Sequence, residues 1–289
     1  MADNNKRLST NVDGDFYVDS TCINCDTCRQ LAPDTFRESG DYSAVYKQPG
    51  NQRQARAALQ ALLCCPTGSI GTVEKHDARE VMGDFPLLIE DGVYYAGFNS
   101  PKSYGGNSYF IKHADGNWLV DSPKFVRPLV EKLDQLGGVR YIFLTHRDDV
   151  AEASKYAERF GSDRIIHRAE LSAQPNSEIV LDGYDPHPFA YDFLIVPTPG
   201  HTKGHCVLLY KNRYLFTGDT LAWDRDRRRL DVHSPRYCWY SWQEQTRSIE
   251  RLRDLTFEWV LPGHGQRGKV SPKQARQQLL EVVERMEAL

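Results

Sequence analysis

At 289 residues, with 40% hydrophobic and 26% charged side chains, the chain is long enough for two domains, one with a large core, and matches neither a disordered nor a membrane-spanning composition. A formal net charge of -3 points to no nucleic-acid or membrane surface as the main partner, because both need a concentrated basic face. The first ten residues are polar with no apolar stretch behind them, and no apolar run approaches a membrane span, so a soluble cytoplasmic protein is expected.

In chain order, Phe16-Tyr17-Val18 reads as a strand, followed by three cysteines, Cys22, Cys25 and Cys28. Tyr42 to Tyr46 reads as a strand and Gln52 to Leu63 as a helix with Ala55, Ala58, Leu59, Leu62 and Leu63 on one face, placed to cover whatever the cysteines hold. Cys64-Cys65-Pro66 ends that helix, and Ser69 to Val73 gives a further strand. Five of the seven cysteines lie in the first 65 residues, and without an export signal they point to metal or redox chemistry and not to disulfides. Three thiols on one tight loop and a fourth from Cys65 suit an iron–sulfur cluster. Four thiolates would also suit zinc, but zinc sites of this kind use two CxxC knuckles, and Cys64-Cys65 is not one. Adjacent residues point in different directions, so one of that pair ligates, and Cys65 has the proline after it.

The Cys-x-x-Cys-x-x-Cys run, Ala-Pro-Asp-Thr-Phe and the late Cys-Pro-Thr-Gly-Ser-Ile resemble single-cluster bacterial ferredoxins over residues 14 to 75. The resemblance implies one [4Fe–4S] cluster on Cys22, Cys25, Cys28 and Cys65. In two-cluster relatives a further cysteine follows the run, and this chain has Ala32 there.

From Pro86 the pattern changes to apolar strands separated by longer helical stretches. Strands are expected at Leu87–Ile89, Val93–Phe98, Tyr109–Ile111, Trp118–Val120, Tyr141–Leu144, Phe193–Val196, Cys206–Tyr210 and Tyr214–Phe216. Helices are expected at Phe125–Leu136, Val150–Phe160, Trp242–Leu255 and Pro272–Met286, the last opened by Ser271-Pro272. This alternation predicts sheets covered by helices on their outer faces. The fold class is α+β, with domains over residues 1–80 and 81–289.

Four polar segments follow apolar runs: Thr145-His146-Arg147-Asp148-Asp149, Thr198 to His205, Thr217-Gly218-Asp219-Thr220 and Leu261-Pro262-Gly263-His264-Gly265. With Leu119-Val120-Asp121-Ser122, they resemble the metallo-β-lactamase superfamily, an αββα sandwich that includes glyoxalase II thioesterases, persulfide dioxygenases and flavodiiron proteins. Active members carry His-x-His-x-Asp-His in the first segment. Here His146 stays, Asp148 replaces the second histidine, and Val150 and Ala151 stand where the Asp-His pair belongs. The resemblance therefore implies one metal, Fe(II) or Zn(II), on His146, His201 and Asp219. Asp148, a possible further oxygen donor, and His264 are the candidate catalytic groups, and the second position keeps only His264 and Asp219. Loss of metal altogether, or an unusual dinuclear site, stays open.

His205 is expected behind the site and Cys206 as a small strand residue, while His76, His113, His167, His187 and His233 have no motif context. The charged run 224–229 and the aromatic run 237–242 read as a solvated loop and as pocket or core residues. Three functions follow. The first is a redox enzyme coupling the cluster to a mononuclear non-haem metal, acting on a small molecule with a redox partner protein. The second is a thioester or ester hydrolase with a structural cluster, and the third a redox-sensing or assembly protein.

Overall fold

The structure, a computed structural model, describes residues 2–289. It divides into two compact units, residues 1–140 and 141–289.

In the first unit β1 (Phe16–Val18) leads to α1 (Thr27–Leu31), the hairpin β2 (Phe36–Ser39) and β3 (Tyr42–Val45), α2 (Gln52–Cys64) and β4 (Ile70–Thr72). β1 pairs with β4 antiparallel, Phe16 opposite Thr72, which brings the two cysteine-bearing stretches together. The expected helix face is displaced. α2 buries Ala58, Leu59, Ala61 and Cys64, whereas Ala55, Leu62 and Leu63 are only partly covered. Asn51 caps it by accepting from the Gln54 amide at 3.0 Å. Phe16, Val18, Phe36, Val45 and Ile70 pack on the helix in one small core. Full burial of an aliphatic side chain of this size contributes about 1.5–3 kcal/mol.

After the short α3 (Arg79–Met82), β5 (Leu87–Glu90), β6 (Val93–Tyr95), β7 (Tyr109–Ile111) and β8 (Trp118–Val120) form an antiparallel meander, followed by α4 (Arg127–Gln135). The expected strand over Val93–Phe98 stops at Tyr95. Gly97 at φ +74° and Phe98 at φ +48° turn the chain out of the extended region there.

The second unit opens with β9 (Tyr141–Phe143), α5 (Ala153–Phe160), β10 (Asp163–His167) and β11 (Ile179–Leu181), three parallel strands in the order β9-β10-β11. β12 (His187–Phe189), β13 (Phe193–Pro197), β14 (Cys206–Tyr210) and β15 (Tyr214–Gly218) follow, then a β16 (Ala222–Asp224) and β17 (Arg229–Asp231) hairpin and α6 (Trp242–Arg251). β18 (Trp259–Pro262), β19 (Gly268–Lys269) and α7 (Pro272–Glu287) complete the chain. A six-stranded sheet runs β12-β13-β14-β15-β18-β19. β14 is buried at every residue, as an unbroken apolar run predicts for a strand covered on both faces. Val207, Leu209, Leu215 and Val260 of the sheet meet Ile249 of α6 and Leu279, Val282 and Val283 of α7. Ser271 caps α7 in a reciprocal capping box with Gln274. No helix among the described residues is long and apolar enough to cross a membrane.

Candidate cluster site and metal centre

Cys22 and Cys25 lie on the turn between β1 and α1, Cys28 in α1, and Cys65 at the C-terminal cap of α2. Asn24 and Asp26 hold positive φ of 56° and 70°, and these two residue types tolerate the left-handed region, which lets the loop fold its thiols inward. All four cysteines line one cavity with Val18, Ile23, Ser43, Pro66 and Ile70. Backbone amides already point at the sulfurs: Ser69 N–H donates to Cys65 Sγ at 3.2 Å, Asn24 N–H to Cys22 Sγ at 3.4 Å and Ser43 N–H to Cys22 Sγ at 3.5 Å. Such donors stabilise thiolate and cluster sulfur charge.

Among the described residues, the groups of three donors lying within 4.8 Å of one another involve no cysteine. Four sulfurs at about 2.3 Å from one zinc ion would lie closer together than that, so the thiols do not stand at the spacing of a mononuclear zinc site. Burial raises the Cys25 thiol to about 11 and pushes Cys28 higher still, so loading a cluster must displace their protons. Cys64 is fully buried and turned away, its Sγ accepting from the Phe98 amide at 3.3 Å.

The β6–β7 connection closes over this site. Asn99 Nδ2 donates to Thr27 Oγ1 at 3.1 Å and to the Gly105 carbonyl at 2.7 Å, and Tyr104 Oη donates to the Ile23 carbonyl at 2.8 Å. A methyl group on Gly105, at φ +87°, would sit 2.8 Å from Cys25 Cβ and 3.0 Å from Pro66 Cγ. Lys124 Nζ donates to the Cys65 carbonyl at 3.3 Å, and burial lowers its ammonium while the thiols of Cys65, Cys64 and Cys25 pull it back up.

In the second unit His146 follows β9, His201 lies between β13 and β14, Asp219 directly follows β15, and His264 follows β18. His146 Nε2 and His201 Nε2 stand 3.7 and 3.6 Å from Asp219 Oδ2, and both nitrogens are buried without a hydrogen-bond partner. Leaving a buried polar atom unpaired costs about 1–3 kcal/mol, and a cation shared with Asp219 would satisfy both, so the residues fit a metal. Burial holds His146 near 4, with the Asp219 charge opposing, so its imidazole is neutral at physiological pH as a ligand must be. Thr145 Oγ1 lies 3.0 Å from His146 Nδ1 and orients the ring.

Burial alone would raise Asp219, but the charge and hydrogen bond of His264, then His146 and His201, hold it well below the usual carboxylate range. His264 Nδ1 meets both Asp219 oxygens, at 2.8 and 3.0 Å. Behind the site, Asp219 N–H donates to His205 Nε2 at 3.1 Å. His205 Nδ1, which then carries the proton, sits 2.9 Å from Thr198 Oγ1 and 3.0 Å from Thr220 Oγ1. Asp148 is half-exposed on a 3₁₀ turn, its Oδ2 3.8 Å from His146 Nε2 and 3.7 Å from His201 Nε2, and the facing His201 and His146 imidazoles lower its carboxyl.

Asp149 is the residue that sequence reasoning passed over. Aligned by spacing, it falls at a variable position of the motif. The 3₁₀ turn Arg147–Asp149, with Ala151 at φ 29° after it, instead buries Asp149 to 1% exposure and brings its Oδ2 to 4.0 Å from His264 Nδ1. Asp149, Asp219 and His264 thus form a second three-donor group sharing Asp219 with the first. Gly263 makes room: a methyl there would lie 2.6 Å from Asp149 Oδ2 and 2.9 Å from Asp219 Oδ1. The expectation that the second position keeps only His264 and Asp219 is corrected by one carboxylate.

Glu170, fully buried, ties the ligand loops together by accepting from the Gly204 amide at 2.5 Å and the Arg147 amide at 3.3 Å. The aromatic run leaves Tyr237, Trp239 and Tyr240 exposed, with Trp239 N–H donating to the His201 carbonyl at 2.8 Å.

Residues 18–72 match the 4Fe-4S single cluster domain of ferredoxin I, and residues 133–264 match the metallo-beta-lactamase superfamily. A hydroxyacylglutathione hydrolase of Salmonella arizonae is 29% identical over 127 residues, 43% of this chain and 50% of that protein, so the chain spans about half the length of this curated relative. A metallo-beta-lactamase family protein from Thermus thermophilus is similar in structure with a TM-score of 0.52 and 20% identity, over 68% of this chain and 80% of that one. A metallo-beta-lactamase from Pontibacter korlensis gives 0.50 and 16%, over 70% and 98%. At these identities the solved structures bear on fold alone. A 4Fe-4S ferredoxin-type domain followed by a metallo-β-lactamase-fold domain is therefore what this chain comprises.

Proposed function

We propose that this protein is a metal-dependent hydrolase of thioester or ester substrates, built on residues 81–289, with a [4Fe–4S] cluster held by Cys22, Cys25, Cys28 and Cys65 in residues 1–80. The observation that carries the reading is the pair of three-donor groups meeting at Asp219, His146–His201–Asp219 and Asp149–Asp219–His264. A divalent cation bound there supplies a polarised carbonyl and a water of lowered pKa. The chain's own residues do the rest. Asp148, ionised and at the mouth of the site, accepts the proton that water loses as its oxygen attacks the carbonyl carbon. That proton is then delivered to the departing thiolate or alkoxide as the carbon–sulfur or carbon–oxygen bond breaks. His264 holds the Asp219 carboxylate in line, and the likeness to a hydroxyacylglutathione hydrolase supports a hydrolytic assignment.

A redox enzyme is the second reading. Two imidazoles and one carboxylate with open positions suit non-haem Fe(II), and a cluster passes single electrons, which a zinc hydrolase does not use. Metal and sulfide counts on anaerobically purified protein, together with thioester turnover before and after cluster removal, separate the two. Four cluster irons plus zinc, with turnover that survives cluster removal, is the expected result. A fifth iron and turnover that requires the cluster would move the assignment to the redox reading, and four irons alone to an assembly or sensing protein.

A further inference from the structure

We infer that Lys124 is a charge-tuning residue for the iron–sulfur cluster, a positive charge supplied from outside the ferredoxin-type segment that raises the cluster's reduction potential. The inference rests on the cluster assignment alone and is independent of what the second unit catalyses. Lys124 lies beyond β8, about fifty residues past the end of the matched segment at 72, yet its ammonium reaches the carbonyl of the cluster ligand Cys65 at 3.3 Å. Its position is fixed at both ends. The Lys124 amide donates to the Phe98 carbonyl at 2.8 Å, and Phe98 N–H in turn binds Cys64 Sγ, the residue before the ligand. The side chain is half-buried, so solvent screens its charge less than that of a surface lysine.

A cluster on four thiolates is anionic in both states and gains one further negative charge when it takes up an electron. A nearby cation therefore stabilises the reduced form more than the oxidised form. The adjoining amide donors to Cys22 and Cys65 act in the same direction, but they belong to the ferredoxin-type segment itself.

The test is a mediated potentiometric titration of the full-length, cluster-loaded protein, followed by the visible absorbance and the electron paramagnetic resonance signal of the reduced cluster. Lys124→Met should lower the midpoint potential at unchanged iron and sulfide content, Lys124→Arg should stay close to wild type, and Lys124→Glu should fall further than Lys124→Met. Should Lys124→Met fail to hold its cluster, Lys124→Gln, which keeps a hydrogen-bond donor without the charge, takes its place. A wild-type potential in the neutral variants, or an equal fall in Lys124→Arg, would overturn the inference. So would loss of the cluster from both neutral variants with Lys124→Arg loaded normally, which would make the lysine an assembly residue.

Discussion

Asp149 shows how a single carboxylate changes the chemistry available to a site. Removing it leaves the His146–His201–Asp219 group intact and takes one of three donors from the other. Asp149→Ala is expected to lower the affinity of a second metal equivalent at least tenfold in a chelator competition, with the first equivalent nearly unchanged; equal loss of both would mean that the groups load as one. The second residue-scale expectation concerns His146. Its folded-state pKa lies near 4, below the ordinary 6.5, so the unfolded chain binds more protons between those values. Stability of the metal-free protein should thus be fully present above pH 6.5 and decline by up to about 3 kcal/mol as pH falls toward 4. Urea unfolding of chelated protein at pH 7 and pH 5 reads this, and a His146→Gln variant should show a flatter dependence.

At the scale of elements, the strands and helices with a clear apolar period were legible: β1, β7, β8 and β14 stand where the pattern puts them, and α2 and α7 differ by a single residue at one end. The short β2, β11, β12 and β16–β17 were not, because three or four residues with mixed polarity carry too little periodicity to separate strand from loop. His146, His201, Asp219 and His264 were legible because each follows a strand, where loops gather functional groups. Asp149 was not, since its role depends on a turn that reorients it and on Gly263 leaving room, neither of which spacing reveals. Likewise the β6–β7 connection gave no sign that it closes over the cluster cavity. Gly105→Ala should expose that contact. The substitution forces a side chain into a left-handed backbone at 2.8 Å from Cys25, and is expected to destabilise the first unit by roughly 1–3 kcal/mol and lower cluster occupancy. Normal iron and sulfide with an unchanged melting curve would show that the loop yields.

Across the whole molecule, the cluster site is built entirely from the first unit and the two donor groups entirely from the second. Each centre should therefore be removable alone. Cys65→Ser is expected to bleach the cluster absorbance while the additional metal stays bound, and Asp219→Ala to release that metal while the cluster spectrum stays as in wild type. Loss of both centres in either variant would show that one unit needs the other's metal to remain folded.

Cys64 has a bearing on what happens after oxygen has destroyed the cluster. Its sulfur is fully buried and held by the Phe98 amide, while that of its neighbour Cys65 lines the cavity. A disulfide between these two adjacent residues, a dead end for repair, would require the end of α2 to unwind. Brief alkylation of chelated, folded protein should accordingly label Cys65 and spare Cys64 until denaturant is added, whereas equal labelling would show that the helix end frays. A stripped chain that keeps Cys64 out of reach closes off the pairing of Cys65 with its own neighbour, one of the ways in which the cavity could lose that thiol.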